Sequence, residues 1–172
     1  MTTENGMEER EMVTVTLLGI PVALWQQADQ ESKDLMREFA LILLSEDNVE
    51  SSVPVRLKDL IEELERSYGS LTNVQTARLQ QAGQSGEAVI DRLDYRLPRS
   101  VGPDVKRLAT ALDEADEYCM AGQHLLSLAT SPVSKAFREW FFDEINRQLE
   151  GGLPVPWSDS TFAAAVRESS DR

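Results

Sequence analysis

Apolar and polar positions along the chain change period several times, and each change marks an element. Val13-Thr14-Val15-Thr16-Leu17-Leu18 alternates apolar residues with Thr before Gly19 and Pro21 interrupt it, which predicts a short strand. From Val22 to Ser45 the positions Leu24, Ala28, Leu35, Phe39, Ile42 and Leu43 largely follow helical spacing, with Asp29 and Lys33 as an i,i+4 pair. That pattern predicts one long amphipathic helix. The polar stretch Glu46 to Ser52 reads as a loop, and Pro54 then sits in the first turn of a second helix. Its stripe is Leu57, Leu60, Ile61, Leu64 and Tyr68, with Gly69 as the expected stop. Thr72 to Ala82 is expected to form a weaker third helix closed by Gly83.

Between Ala88 and Leu97 the period shortens to that of a strand. Val89, Leu93, Tyr95 and Leu97 are expected on one face and Arg92, Asp94 and Arg96 on the other. Two strands alone are marginal in water, so they are expected to pair under a cover of helices. From Pro103 a helix is predicted by Val105, Leu108, Ala109, Leu112, Ala115 and Cys119, with an extension toward Leu125 and Leu126 left open. Ser131-Pro132 has the chemistry of a helix start, Ser as N-cap and Pro at the first helical position. Val133, Phe137, Trp140, Phe141 and Ile145 continue it up to Gly151-Gly152, and Leu153 to Trp157 reads as an extended strap. The fold class expected is α+β, predominantly helical, with about four to five amphipathic helices packed on a small two-stranded antiparallel sheet. Residues 1–12 are expected to be a disordered acidic N-terminus, 13–157 a single α-rich domain, and 158–172 a flexible, frayed or weakly helical tail.

Composition narrows the function. The 172 residues carry 17 Lys and Arg against 30 Asp and Glu, a formal charge of −13, which argues against nucleic acid and anionic membranes as partners. A hydrophobic fraction of 41% is that of a globular chain. Its longest apolar stretch, Phe39 to Leu44, is far short of the roughly 18 residues that span a bilayer. One Cys forms no internal disulfide and no signal segment is read at the start, so the cytoplasm is the expected compartment. Neither the GxGxxG nor the GxxxxGK[ST] loop occurs, and no cofactor is expected.

Candidate chemistry is sparse. Asp113, Asp116 and Glu117 share a helical face beside Glu114, a spacing that could ligate a hard cation but reads better as a solvated, partner-facing acidic surface. Cys119 and His124 lie five residues apart, about 140° around a helix, and so do not face each other; neither a zinc set nor a nucleophile pair is assigned. Trp140 and Phe141 are adjacent, about 100° apart, so one of them is free to reach a groove or a partner while both remain compatible with a wide core stripe.

The segments Leu17-Leu18-Gly19-Ile20-Pro21-Val22, Leu35-Met36-Arg37-Glu38-Phe39, Asp113 through Cys119, Leu125 through Pro132, Phe137-Arg138-Glu139-Trp140-Phe141 and Pro154-Val155-Pro156-Trp157 carry a resemblance. The chain resembles small actinobacterial proteins that accompany partner-switching modules of an anti-sigma-factor kinase, a STAS-domain antagonist and a serine phosphatase. The shared positions are packing residues. Tyr95-Arg96-Leu97-Pro98 also faintly resembles the start of the kinase fold, but the Asn-containing helix and the DxGxG lid of that family are missing. The Asp-Ser-[Ser/Thr]-Gly loop of a STAS antagonist is missing too, since Thr161 is followed by Phe162. No catalytic or phosphoacceptor residue is therefore carried over. What the resemblance implies is a non-enzymatic regulatory protein in stress or sigma-factor signalling, acting by protein-protein contacts with an anti-sigma or STAS-type regulator. A sensor holding a small apolar ligand between helices is the alternative, and homodimerisation is left open.

Overall fold

The computed structural model of the chain describes residues 11–45, 52–122 and 129–170. Strand β1 (Met12–Pro21) runs directly into helix α1 (Val22–Ser45), followed by α2 (Val53–Ser85) and β2 (Val89–Pro98). Helices α3 (Gly102–Ala121), α4 (Pro132–Leu149) and α5 (Thr161–Ser170) complete the described fold. The mostly helical α+β architecture with a two-stranded antiparallel sheet is the one the periodicity predicts.

The strands pair antiparallel from Met12 opposite Pro98 to Pro21 opposite Val89. Leu93, Tyr95 and Leu97 are buried beneath the helices while Arg92 and Arg96 are exposed, as expected of this strand. Val89 departs from that expectation: it is 44% exposed, and Ile90 is buried in its place. Gly19 supplies the reason. It adopts φ +64°, a left-handed conformation that glycine enters at little cost, and beyond it both Ile20 and its partner Ile90 turn to the core. The buried set therefore shifts by one residue in both strands at this point.

Helix α2 corrects the reading of two helices broken at Gly69. Val53–Ser85 is one uninterrupted helix, opened by Ser52, whose Oγ accepts from the Val55 amide, and closed by Gly86 at φ +72°. A glycine inside a helix costs about 1 kcal/mol, too little to end it when apolar positions on both sides are packed. Leu57 and Leu60 are buried before Gly69, and Leu79 and Ala82 after it. Gly83 is likewise no stop: a Cβ there would lie 2.2 Å from Nε2 of Gln26, so its bare backbone admits α1.

Helix α3 ends at Ala121, and Leu125, Leu126 and His124 lie outside the described residues, as do most of the expected 46–52 loop and residues 1–10. Ser131 caps α4 as predicted, its Oγ accepting from the Ser134 amide. Of the frayed or weakly helical alternatives expected from Ser158, the structure has the helical one, ten residues over Thr161–Ser170. Ser160 accepts from the Ala163 amide at its start, Ala163 is buried, and Phe162 packs against the core. Capping plus an alanine run makes this short segment helical.

Two apolar clusters hold these elements. The larger joins both strands to α2 and α4 through Val15, Leu17, Leu93, Tyr95, Leu79, Ala82, Phe137 and Trp140. The smaller packs Leu35 and Phe39 of α1 against Leu57 of α2 and Ala115 and Cys119 of α3.

Candidate functional site

One member of the acidic run on α3 departs from the solvated face expected of it, while Asp113, Glu114 and Glu117 keep much of their surface in solvent. Asp116 is only 4% exposed. Its Oδ1 accepts from the Thr130 amide at 3.0 Å and hydroxyl at 2.6 Å, and its Oδ2 accepts from Arg138 at 2.9 Å. Burial opposes ionisation here, but these donors outweigh it and hold the carboxyl below its ordinary value. Asp113 accepts from the same Arg138 at 3.0 Å, and Glu114 pairs with Arg56 of α2 at 2.8 Å. Glu117 is exposed and makes no ion pair among the described residues. Asp116 thus fastens α3 to α4, while Asp113 and Glu114 make ion pairs at the surface. Periodicity placed Asp116 with Asp113 and Glu117, but it could not show that Arg138, from α4, would cover two of them.

Trp140 and Phe141 separate as their 100° offset allows. Trp140 is 1% exposed, packs edge-on to Trp157 with centroids 5.7 Å apart, and donates through Nε1 to the Val155 carbonyl at 3.1 Å. That bond holds the strap at 153–157 against α4, together with the Val155 amide donating to buried Glu144. Trp140 is core and is withdrawn from any partner surface. Phe141 instead reaches a groove.

That groove is an apolar cleft of about 370 Å³ between α2, α3, α4 and the end of β2. Ile61, Leu64, Tyr68 and Gly69 form the α2 wall; Val105 and Leu108 form the α3 wall. Phe141, Phe142 and Ile145 come from α4, and Tyr95 and Leu97 from the sheet. Tyr95 and Phe141 meet edge to face, 5.9 Å between centroids. The volume lies at the small end of the roughly 300–1,000 Å³ typical of small-molecule sites. A larger, shallower groove of about 590 Å³ along α2 and α3 carries Arg56, Lys106, Arg107 and Glu114, with few apolar walls.

Helix α2 builds the cleft because it does not break at Gly69. A Cβ at that position would meet nothing within 4 Å, so the missing side chain leaves the cleft open at its α2 wall. One polar edge borders the apolar walls. Tyr68 donates to Oδ2 of Asp104 at 2.6 Å, and Arg107 donates to Oδ1 at 2.9 Å and to Glu63 at 3.1 Å. The Tyr68 hydrogen bond, helped by Arg107 and opposed by partial burial, lowers the Asp104 carboxyl below its usual range. Glu65 is the other charged residue of the lining. Of these residues, the sequence stripe contains Ile61, Leu64 and Tyr68, and Phe141 belongs to the pair with Trp140 of which one member was expected to be free to reach a groove. Phe142 and Tyr95 were missed as cleft residues, because only the tertiary arrangement brings α4 beside β2.

Cys119 is fully buried, and its thiol is pushed up to about 11 by burial and by the neighbouring Asp116 charge. No described helix is long and apolar enough to cross a membrane. Comparison with protein-family models, curated proteins and solved structures returns no match for this chain.

Proposed function

We propose that the chain is a non-enzymatic regulatory protein of the cytoplasm that acts by binding, in the partner-switching type of signalling that its sequence resembles. Its output is a contact with an anti-sigma-factor kinase or a STAS-type antagonist. One observation carries the reading. The charged groups best placed for chemistry, Asp116, Arg138 and Glu144, are held in internal hydrogen bonds, whereas the cleft between α2, α3 and α4 is preformed and apolar. Biolayer interferometry of the full chain against the purified kinase and antagonist of the source organism tests it. Saturable binding to one of the two is expected; absence of binding to both would overturn the partner assignment.

The cleft also favours a second reading, in which a small apolar molecule occupies it and the protein acts as a sensor. Its volume, its aromatic lining and the open position at Gly69 support this reading. Fluorescence titration with a neutral naphthalene dye, run without any protein partner, addresses it separately.

A further inference from the structure

Resting on the sensor reading, we infer that the cleft selects a neutral, largely apolar aromatic or alicyclic molecule carrying one hydrogen-bond acceptor, which receives the hydroxyl of Tyr95. The walls decide the apolar body. Phe141, Phe142, Leu64 and Leu108 offer ring and branched aliphatic surface from three helices, so a rigid hydrocarbon frame gains burial on several sides at once.

Charge decides the rest. The charged residues of the lining, Glu65 and Asp104, are both acidic, and an anionic ligand would enter their field without a cation in the lining to meet it. A cationic ligand gains little on the wall, since Asp104 already accepts from Tyr68 and Arg107 and Glu65, the other carboxylate, is exposed to water that screens it. A neutral molecule incurs neither cost.

Tyr95 supplies the single specific contact. It is 5% exposed, it lines the cleft, and its hydroxyl makes no hydrogen bond among the described residues. Burial drives its phenol upward, well above the ordinary value, so it stays protonated and offers a donor. The hydroxyl is not among the fully buried unpartnered polar atoms, so it is open to a ligand from the cleft side, and a ketone, ether or hydroxyl oxygen of a bound molecule would accept from it in place of water. The neighbouring threonines, Thr72 and Thr76, border the α2 side of the same space.

The test uses the full chain and 6-propionyl-2-dimethylaminonaphthalene, a neutral dye with one ketone. Its parent 2-dimethylaminonaphthalene lacks the acceptor, and anilinonaphthalene sulfonate carries a negative charge. The ketone dye is expected to bind saturably with a blue-shifted emission, and the sulfonate about tenfold more weakly or worse. Tyr95→Phe should weaken the ketone dye about three- to tenfold and leave the parent unchanged, the size of one neutral hydrogen bond. Gly69→Phe should weaken both neutral dyes at least about tenfold, because the new ring enters the cleft from a helical position with room for it. Gly69→Ala, which adds a single methyl, keeps the experiment informative if the larger ring perturbs folding, with a smaller loss expected. Failure of the ketone dye to saturate, equal binding of the sulfonate, equal loss of both neutral dyes in Tyr95→Phe, or indifference to both Gly69 variants would overturn the inference. The kinase and antagonist are absent throughout, so the partner assignment stands or falls on its own measurement.

Discussion

The carboxamide of Gln148 pairs with the backbone of Thr16 as a third strand would: Nε2 donates to the Thr16 carbonyl and the Thr16 amide donates to Oε1, both at 2.8 Å. One side chain of α4 thereby covers part of the free edge of β1, which a two-stranded sheet would otherwise leave unpaired beneath the helices. The second Nε2 proton goes to Glu144, so both amide protons are used. Gln148→Leu should leave two buried backbone groups of Thr16 unpaired and destabilise the fold by about 2–4 kcal/mol. Urea denaturation measures this, and a loss below about 0.5 kcal/mol would show that the edge finds water instead.

Asp116 and Arg138 connect α3 to the start of α4, since Asp116 also receives both donors of Thr130 just before the Ser131 cap. Asp116→Asn should cost about 1–3 kcal/mol at neutral pH. The sign of its pH dependence follows from a folded value lying below the ordinary 3.8. The ionised carboxylate contributes its stability in full above that ordinary value, and the contribution is lost as the pH falls through the lower folded value. The stability gap between wild type and variant should therefore be constant from pH 5 to 7 and close on acidification below about 4. A gap unchanged at pH 2.5 would place the effect elsewhere.

Cys119 should be a poor nucleophile in the folded protein. It is fully buried and its thiol is raised to about 11, so both access and thiolate fraction are low. Reaction with a thiol-specific disulfide reagent at pH 7.5 should be about a hundredfold or more slower than in denaturant. Comparable rates in the two conditions would mean that the α1–α2–α3 cluster opens readily.

Gly69→Ala should stabilise the protein by about 0.5–1 kcal/mol, because the position is helical and the new methyl meets no neighbour. Thermal unfolding followed at 222 nm reads it. Destabilisation would indicate that α2 needs a flexible point in its middle.

Elements with a full set of amphipathic repeats were legible in the sequence. The α1 stripe, the Ser131-Pro132 start of α4 and the outward Arg92 and Arg96 of β2 all stand where their periods put them. Gly69 and Gly83 misled because a glycine gives the same local signal whether it ends a helix or makes room for something beside it. The difference lies in Gln26 of α1 beside Gly83 and in the cleft beside Gly69, both built by residues remote in sequence. Val89 misled because a single left-handed residue, Gly19 on the other strand, moves the buried phase of both. The acidic run was legible as charge but not as contact. Arg138, remote in sequence, draws Asp116 out of the surface, while Asp113, Glu114 and Glu117 stay half-exposed or exposed.

The cleft between α2, α3 and α4 is the proposed binding place of this protein. Backbone amide NMR of the full chain during titration with the neutral ketone dye tests that most directly. Shifts concentrated at Leu64 to Thr76, Tyr95, Asp104 to Leu108 and Phe141 to Ile145 are the predicted result. Shifts confined to Asp113–Glu117, or spread evenly over the surface with the cleft residues unmoved, would contradict it.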